Sequence, residues 1–438
     1  MMFNSRLLSS IAVLLISTPG AFAKDDTFTE LLDILKSKQT ISAEEYQQLK
    51  DSISQPASQD QNNNDVLVNT QGGIELQTYD GAFSAEWGGR LMVDYASYQQ
   101  DQVALGSGTE LRRVRLDLEG TLHVNWGYEL SVDFGDTSQE VDLKDAYIAY
   151  TGLSDSSLLI GQFKEPFNLE DLISSKYITF IERALPNAFA PGRNIGIGYT
   201  TYDDNWSFAA GLFGQAVDDG DKSEDDEGWG VTARVTYAPW ASKRNALHLG
   251  LAMTRREPDA SNEVSFSTRP ESHVTDVKYV NSGDITDVKY YTASGAELAW
   301  VAGPLSLQGE YIATSISQTT TSDDPTLSGW YVYASYFMTG EARPYKVKDG
   351  KFSSIKPISE HGAWELALRY STIDMNDGTI LGGEERNTTL GVNWYANKNV
   401  RLMFNYTLVN NDINANDDGD VAGNDDPRIF QARMQLHF

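Results

Sequence analysis

The chain closes on Arg428-Ile429-Phe430-Gln431-Ala432-Arg433-Met434-Gln435-Leu436-His437-Phe438, where apolar and polar side chains alternate up to a terminal phenylalanine. A period of two held over about ten residues describes a strand with one greasy and one wet face. A final strand of this kind, ending on an aromatic, marks bacterial outer-membrane barrels. It changes the solvent that the apolar face is expected to meet, from a protein core to lipid.

The beginning of the chain agrees. Arg6 supplies a positive n-region, Leu7 to Ile16 an apolar stretch, and Ala21-Phe22-Ala23 a small-residue cleavage site, so residues 1–23 read as a secretory signal peptide. No later stretch offers eighteen consecutive apolar residues, which excludes spanning helices. The mean hydropathy of −0.39 suits a barrel, because an alternating strand never looks hydrophobic in a window. The formal charge of −28 argues against nucleic acid as a partner, and the absence of cysteine excludes disulfides and thiolate metal sites.

Three regions follow the signal peptide. Residues 24–53 read as a periplasmic helical segment. Thr27-x-x-Glu30 and Ser42-x-x-Glu45 form capping boxes, and Phe28, Leu31, Leu32 and Leu35 make an apolar stripe. Two short amphipathic helices with little to pack on predict self-association as a small trimeric coiled coil. Residues 54–64 are a polar linker. From 65 to 438 alternation recurs in roughly sixteen runs, with short turns such as 396–399 exchanging with long polar connections such as 255–290 and 409–427. The fold class expected is all-β, a roughly 16-stranded antiparallel transmembrane barrel.

Charged residues recur on the face away from lipid: Arg113, Arg115, Asp117, Glu119 and Asp133, then Arg234, Glu365, Arg369 and Arg401. Sixteen strands enclose more volume than side chains fill, so these charges are expected to face water in a pore. Residues 164–194 break the alternation. Asn168 is placed to cap a short helix through Leu169, Leu172, Ile173 and Tyr177, and a segment this apolar is expected to fold into the lumen and narrow it.

Several stretches resemble the phosphate-selective porin O and P family. They are Gly161-Gln162-Phe163-Lys164-Glu165-Pro166-Phe167-Asn168-Leu169-Glu170, the run from Tyr177 to Asn187, and Phe189-Ala190-Pro191-Gly192-Arg193-Asn194. Gly88-Gly89-Arg90-Leu91, the run from Thr339 to Lys346 and the run from Leu390 to Ala396 resemble it too. The resemblance implies a homotrimeric sixteen-stranded outer-membrane porin whose third loop folds inward. It matches Arg112 and Arg113 to a paired arginine on the second strand, Asp133 to an acidic lining residue, and Ser174 to the inward loop. Lys164, Arg193, Arg112, Arg113, Arg115 and Asp133 are the candidates for the narrow zone, with Asp117 as pore lining.

The sequence departs from the family pattern in two places. Strongly phosphate-selective members carry an arginine ladder on the fifth external loop. Here Arg255, Arg256 and Arg269 are interleaved with Glu257, Asp259, Glu263 and Glu271, a mixture that largely cancels. Asp171 stands where those members have a lysine. The reading is therefore a channel for passive diffusion of small hydrophilic solutes, anionic or polar, with an anion preference. A phosphate- or polyphosphate-selective pore is the alternative, and a non-conducting adhesin or anchor barrel a further one.

Asn414, Asn416, Asp418, Asp420 and Asp425 partly copy a calcium-loop spacing, but Asn replaces the first Asp and Asp the final Glu, so a solvated acidic loop is expected. The five histidines are scattered without ligand spacing, so neither catalysis nor a cofactor is expected. The partners expected are outer-membrane lipid, lipopolysaccharide and further copies of the chain.

Overall fold

A computed structural model describes residues 46–47, 66–70, 73–135, 141–217, 226–319 and 324–438. The signal peptide, the linker and all of the helical segment except Tyr46 and Gln47, which are helical, lie outside the described residues. The chain divides into units 1–64 and 65–438, and the second is the barrel.

Its elements in order are β1 (Val66–Asn69), β2 (Ile74–Thr78), β3 (Phe83–Gln99), β4 (Gly108–Leu122), β5 (Trp126–Asp133), β6 (Asp142–Leu153), β7 (Ser156–Lys164), the short helix α1 (Leu169–Leu172), β8 (Arg193–Tyr202), β9 (Trp206–Phe213), β10 (Trp229–Ala241) and β11 (Asn245–Glu257). The two-residue strands β12 (Ser267–Thr268) and β13 (Val280–Asn281) follow, then β14 (Val288–Ala302), β15 (Leu305–Gln318) and β16 (Thr326–Phe337). Last come β17 (Tyr345–Lys346), β18 (Lys351–Phe352), β19 (Ala363–Asp377), β20 (Ile380–Tyr395), β21 (Val400–Asn411) and β22 (Arg428–His437). Sixteen long strands, β3 to β11, β14 to β16 and β19 to β22, pair antiparallel with their neighbours, and β22 pairs with β3 to close the ring. The β1–β2 hairpin extends the sheet from β3, beside the end of β22.

Closure explains the terminal phenylalanine. In lipid an unpaired edge strand leaves its backbone polar groups without partners, so the last strand must find the first. Here the Phe438 amide donates to the Gly89 carbonyl at 3.2 Å, and the Gly89 amide donates to Phe438 at 3.0 Å. A Cβ on Gly89 would lie 2.8 Å from the Arg115 carbonyl and 2.9 Å from the Phe438 ring. The Gly88-Gly89 pair thus clears the space in which the terminus seats.

The outward faces carry the exposed apolar side chains, for instance Leu91, Val93 and Tyr95 on β3 and Leu249, Leu251 and Met253 on β11. Trp126, Trp206 and Trp240 stand beside short connections, and Trp229, Trp330 and Phe430 near the opposite end, as two aromatic girdles require. The alternation of short and long connections fails twice. Residues 338–362 make a long insert where a short turn is expected, and residues 378–379 join β19 to β20 where a long loop is expected.

Two expectations about the inside need correction. First, Arg234, Glu365, Arg369 and Arg401 point inward, as the alternation requires, but they are buried rather than bathed in water. Arg234 pairs with Glu297 at 2.7 Å and Arg369 with Glu271 at 2.7 Å, while Arg401 donates to the carbonyls of Ile178 and Thr179 at 2.7 and 3.1 Å. Second, some inward positions are apolar. Ile312, Ile316, Ile373, Val409 and Ile429 join Phe189, Phe266, Tyr279 and Leu105 in one buried cluster, so part of the interior is dry core. Strands β14 to β22 therefore pack against chain on their inner face, and polar cavities are left along β3 to β8.

Replacing Gly89 by alanine should lower the folded fraction after refolding in detergent, because the Arg115 carbonyl belongs to a paired strand and cannot give way. Heat-modifiability on a gel reads that fraction. Arg433→Met should lower the denaturation midpoint, since Asp94, bonded to Arg433 at 2.6 Å, would stay buried without its cation, and Glu182 would keep only Arg112 of its two arginines. The cost expected for such a loss is about 3–5 kcal/mol.

Candidate functional site, a cationic cavity within the barrel

A cavity of about 580 Å³ lies against β3 to β8 and is lined by Arg90, Arg112, Arg113, Arg115, Lys144, Lys164, Arg183, Arg193 and Lys351. Among the described residues four carboxylates, Glu129, Asp133, Asp142 and Asp145, share that wall. Ser174, Ser175 and His273 complete its polar lining.

Strand pairing explains how so many cations converge. Strict alternation would send Arg112 and Arg113 to opposite faces, with Arg112 in lipid. Between β3 and β4 the register slips, with Met92 opposite Arg113 and Val93 opposite Leu111, so Arg112 is the extra residue of a β-bulge. Both arginines then line the cavity. A second slip, with Ser131 opposite Asp145 and Val132 opposite Leu143, makes Lys144 a bulged residue and brings it in beside Asp145. Gly135 passes close to the first bulge, where a Cβ would lie 2.8 Å from the Arg113 Cα.

Most of these cations have partners. Arg112 bonds to Glu182 through two nitrogens at 2.9 and 3.1 Å, and Arg433 reaches the same carboxylate at 2.7 Å. Arg115 pairs with Asp133 at 2.8 Å, and Asp133 also accepts the Val114 and Gly135 amides. Arg193 pairs with Asp145 at 2.7 Å, and Lys164 and Arg183 share Asp171 at 3.2 and 3.5 Å. Arg90 bridges Asp117 at 2.8 Å to the hydroxyls of Ser174 and Ser175 at 3.3 and 3.0 Å. Burial alone would raise the carboxyls of Glu182 and Asp171. The guanidinium groups of Arg112 and Arg433 hold Glu182 well below the usual carboxylate range, and Lys164 and Arg183 do the same for Asp171.

Arg113 is different. It is 8% exposed, and its one hydrogen-bond contact among the described residues is the Met92 sulfur at 3.9 Å. Among the described residues no carboxylate lies within ion-pair distance of it. A buried, uncompensated guanidinium on a cavity wall is expensive unless an anion visits.

Arg112, Arg113, Arg115, Asp133, Lys164, Ser174 and Arg193 thus line one cavity, whereas Asp117 lines the chamber beside it. Sequence reasoning did not select Arg90, Lys144, Arg183, Asp145 or Lys351. Arg90 and Arg183 sit inside the quoted motifs and were findable; Lys144 depends on its bulge, and Lys351 on the insert 338–362.

The external-loop arginines need correction. Arg255 and Arg256 belong to strand β11, not to a loop. Arg255 is on the outward face, 3.6 Å from the Tyr290 ring, and Arg256 is bound to Glu165 and to the Gly214 carbonyl. Arg269 pairs with Asp276 at 3.0 Å, while Glu271 turns to Arg369. The helix α1 is also shorter than expected, and the Asn168 side chain does not cap it. Glu310 accepts the Leu169 and Glu170 amides at 2.8 Å each instead. Asp425 of the acidic loop is fully buried, accepting the Gln102 and Val103 amides and the Tyr279 hydroxyl. Among the described residues Asp418, Asp420 and Asp425 do not gather into a group of acidic side chains that could hold a metal ion, and Asn414 and Asn416 lie in the same loop.

Comparison with known proteins agrees with this architecture. Porin O of Pseudomonas aeruginosa is 29% identical over 413 residues, covering 85% of this chain and 93% of its own. Among solved structures, an anion-selective porin from Comamonas acidovorans superposes with a TM-score of 0.55 at 14% identity, covering 81% of this chain and all of its own. OmpT of Vibrio cholerae, in a trimer form, gives 0.52 at 11% identity, covering 82% and 100%. The profile described as Phosphate-selective porin O and P matches residues 86–438. The chain belongs to the phosphate-selective porin O and P family, outer-membrane β-barrel channels through which small hydrophilic solutes diffuse passively.

Proposed function

We propose that the channel prefers anions and that the cationic cavity is its narrow zone. The observation that carries this reading is Arg113, a buried guanidinium with no ion-pair partner among the described residues, on a wall where the described cations outnumber the described carboxylates. An anion passing there replaces lost hydration with fixed positive charge, in surroundings where water screens less than in bulk. Arg112, Arg115, Lys164 and Arg193 add to the field, although each shares its charge with a carboxylate, and Asp133 and Ser174 shape the wall.

Residues 165–192 act as the inward-folded third loop that sets the bore. Support comes from their hydrogen bonds to inward side chains of four distant strands: Arg369 to the Glu182 carbonyl, Arg401 to Ile178 and Thr179, Arg433 to Ile181, and Glu310 to the α1 amides. The working unit is a homotrimer. Its apolar contact is expected on the outward face of β5 to β7, where Trp126, Ile148, Tyr150, Leu158 and Ile160 line a shallow groove. Residues 1–23 are the signal peptide, 24–53 a periplasmic helical segment and 54–64 its linker, a plan that rests on their sequence patterns.

Reversal potentials in a planar bilayer under a KCl gradient test the reading. The wild-type pore should favour chloride, and Arg113→Ala should lower the chloride-to-potassium permeability ratio by about tenfold, the order of losing one weakly screened charge. An unchanged ratio would show that Arg113 does not meet permeating ions. Glu182→Gln should shift the potential the other way, because it removes the carboxylate paired with Arg112, while Arg433 keeps Asp94. Block of the chloride current by millimolar phosphate would support the phosphate-selective reading instead, and phosphate without effect would leave a general anion-preferring porin.

A further inference from the structure

Beside the cationic cavity, sharing Arg90, Glu129, Ser174 and Lys351 with it, lies a second chamber of about 270 Å³. Its lining sets Glu86, Glu119 and Glu129 of the barrel wall against Lys176 of the segment 165–192 and Lys346 and Lys351 of the insert 338–362, with Arg90 and Asp117 also on the wall and Asp349 on the insert. The glutamates are not scattered. Glu86 stands directly opposite Glu119, and Glu119 directly opposite Glu129, across β3, β4 and β5; Glu75 of β2 continues the row beyond Glu86.

Like charges directly opposed across antiparallel strands destabilise a sheet. Among the described residues none of Glu86, Glu119 and Glu129 has a salt-bridge partner, and the row is offset only from a distance, by Lys176 and Lys346 acting on Glu119. Glu129 accepts the Tyr147 hydroxyl at 2.7 Å. Lys346 and Lys351, brought in by the insert 338–362, also have no ion-pair partner among the described residues. Asp349 lies between them, and Lys176 reaches Asp117 at 3.8 Å. Fold stability would favour closing the two sides into salt bridges or replacing the glutamates with neutral side chains. The arrangement leaves a field running across the chamber, from lysines to carboxylates.

We propose that this chamber is a second selectivity element that favours zwitterionic solutes of amino-acid size and orients them as they pass. The carboxylate of such a solute faces the lysines and its ammonium faces the glutamate row. A purely anionic solute gains at the lysines and loses at the glutamates, so the chamber adds little to anion preference. The idea rests on the reading of the lumen as a permeation path.

Swelling rates of proteoliposomes holding the full-length trimer test it, with γ-aminobutyric acid as the zwitterion and erythritol as a neutral solute of similar size. The ratio of the two rates should exceed one in the wild type. It should fall about threefold in Glu86→Gln/Glu119→Gln and comparably in Lys346→Gln, the order expected for screened charges across a water-filled gap. An unchanged ratio in both variants, or a fall in only one of them, overturns the two-sided field. Should the double variant fail to assemble, the exposed Glu119→Gln alone carries the glutamate arm. KCl conductance on the same preparations separates the two readings. A wild type that swells with neither solute and passes no current refutes the pore, whereas a conducting pore with an unaltered ratio refutes only the chamber.

Discussion

Every backbone amide and carbonyl that a strand exposes to lipid must find a partner within the protein, and only a closed sheet supplies one along the whole perimeter. That constraint makes β22 the completing piece of the fold. Its pairing with β3 and the mutual hydrogen bonds of Phe438 and Gly89 remove the last edge. Once the ring is shut, the two faces of every strand see different solvents, and the chemistry of each position follows from which one it meets. The absence of a side chain at Gly89 is therefore part of closure rather than a local detail of β3.

Inside the ring the charges divide between two roles. On β14 to β22 the inward arginines are bound to carboxylates and to main-chain carbonyls of the segment 165–192, as Arg369, Arg401 and Arg433 are. Losing one partner there strands the other in a low dielectric, so these pairs hold the interior in one arrangement. On β3 to β8 the same residue types border a cavity, and their field is directed at whatever enters it. Whether a cavity lies beside the charge separates the two roles, and residue type does not.

Bulges are the device that concentrates the second role. Alternation permits one inward side chain for every two residues along a strand, which caps the charge density that a barrel wall can carry. The extra residues at Arg112 and Lys144 break that cap on two strands of the same wall, at the cost of a local kink.

The barrel, its closing strand and several of the inward-facing charges were legible in the sequence, because period two in an outer-membrane chain assigns each side chain to lipid or lumen without knowledge of its neighbours. Arg115, Asp133, Arg234 and Arg369 were all placed on the inner face in this way. What alternation cannot express is where register slips, so the inward turn of Arg112 rested on family resemblance, and Lys144 was missed. Nor can it say what fills the ring. The burial of Arg401, the apolar inward positions Ile312 and Ile429, and the entry of Lys351 all depend on contacts between segments far apart in the chain. The sequence by itself determined which side chains of a regular strand turn outward to lipid and which turn inward, since that depends on local pattern alone. Only the tertiary structure decided which inward charges are neutralised, because a salt bridge such as Arg433 with Asp94 joins residues at the two ends of the barrel chain and exists only once the ring has closed.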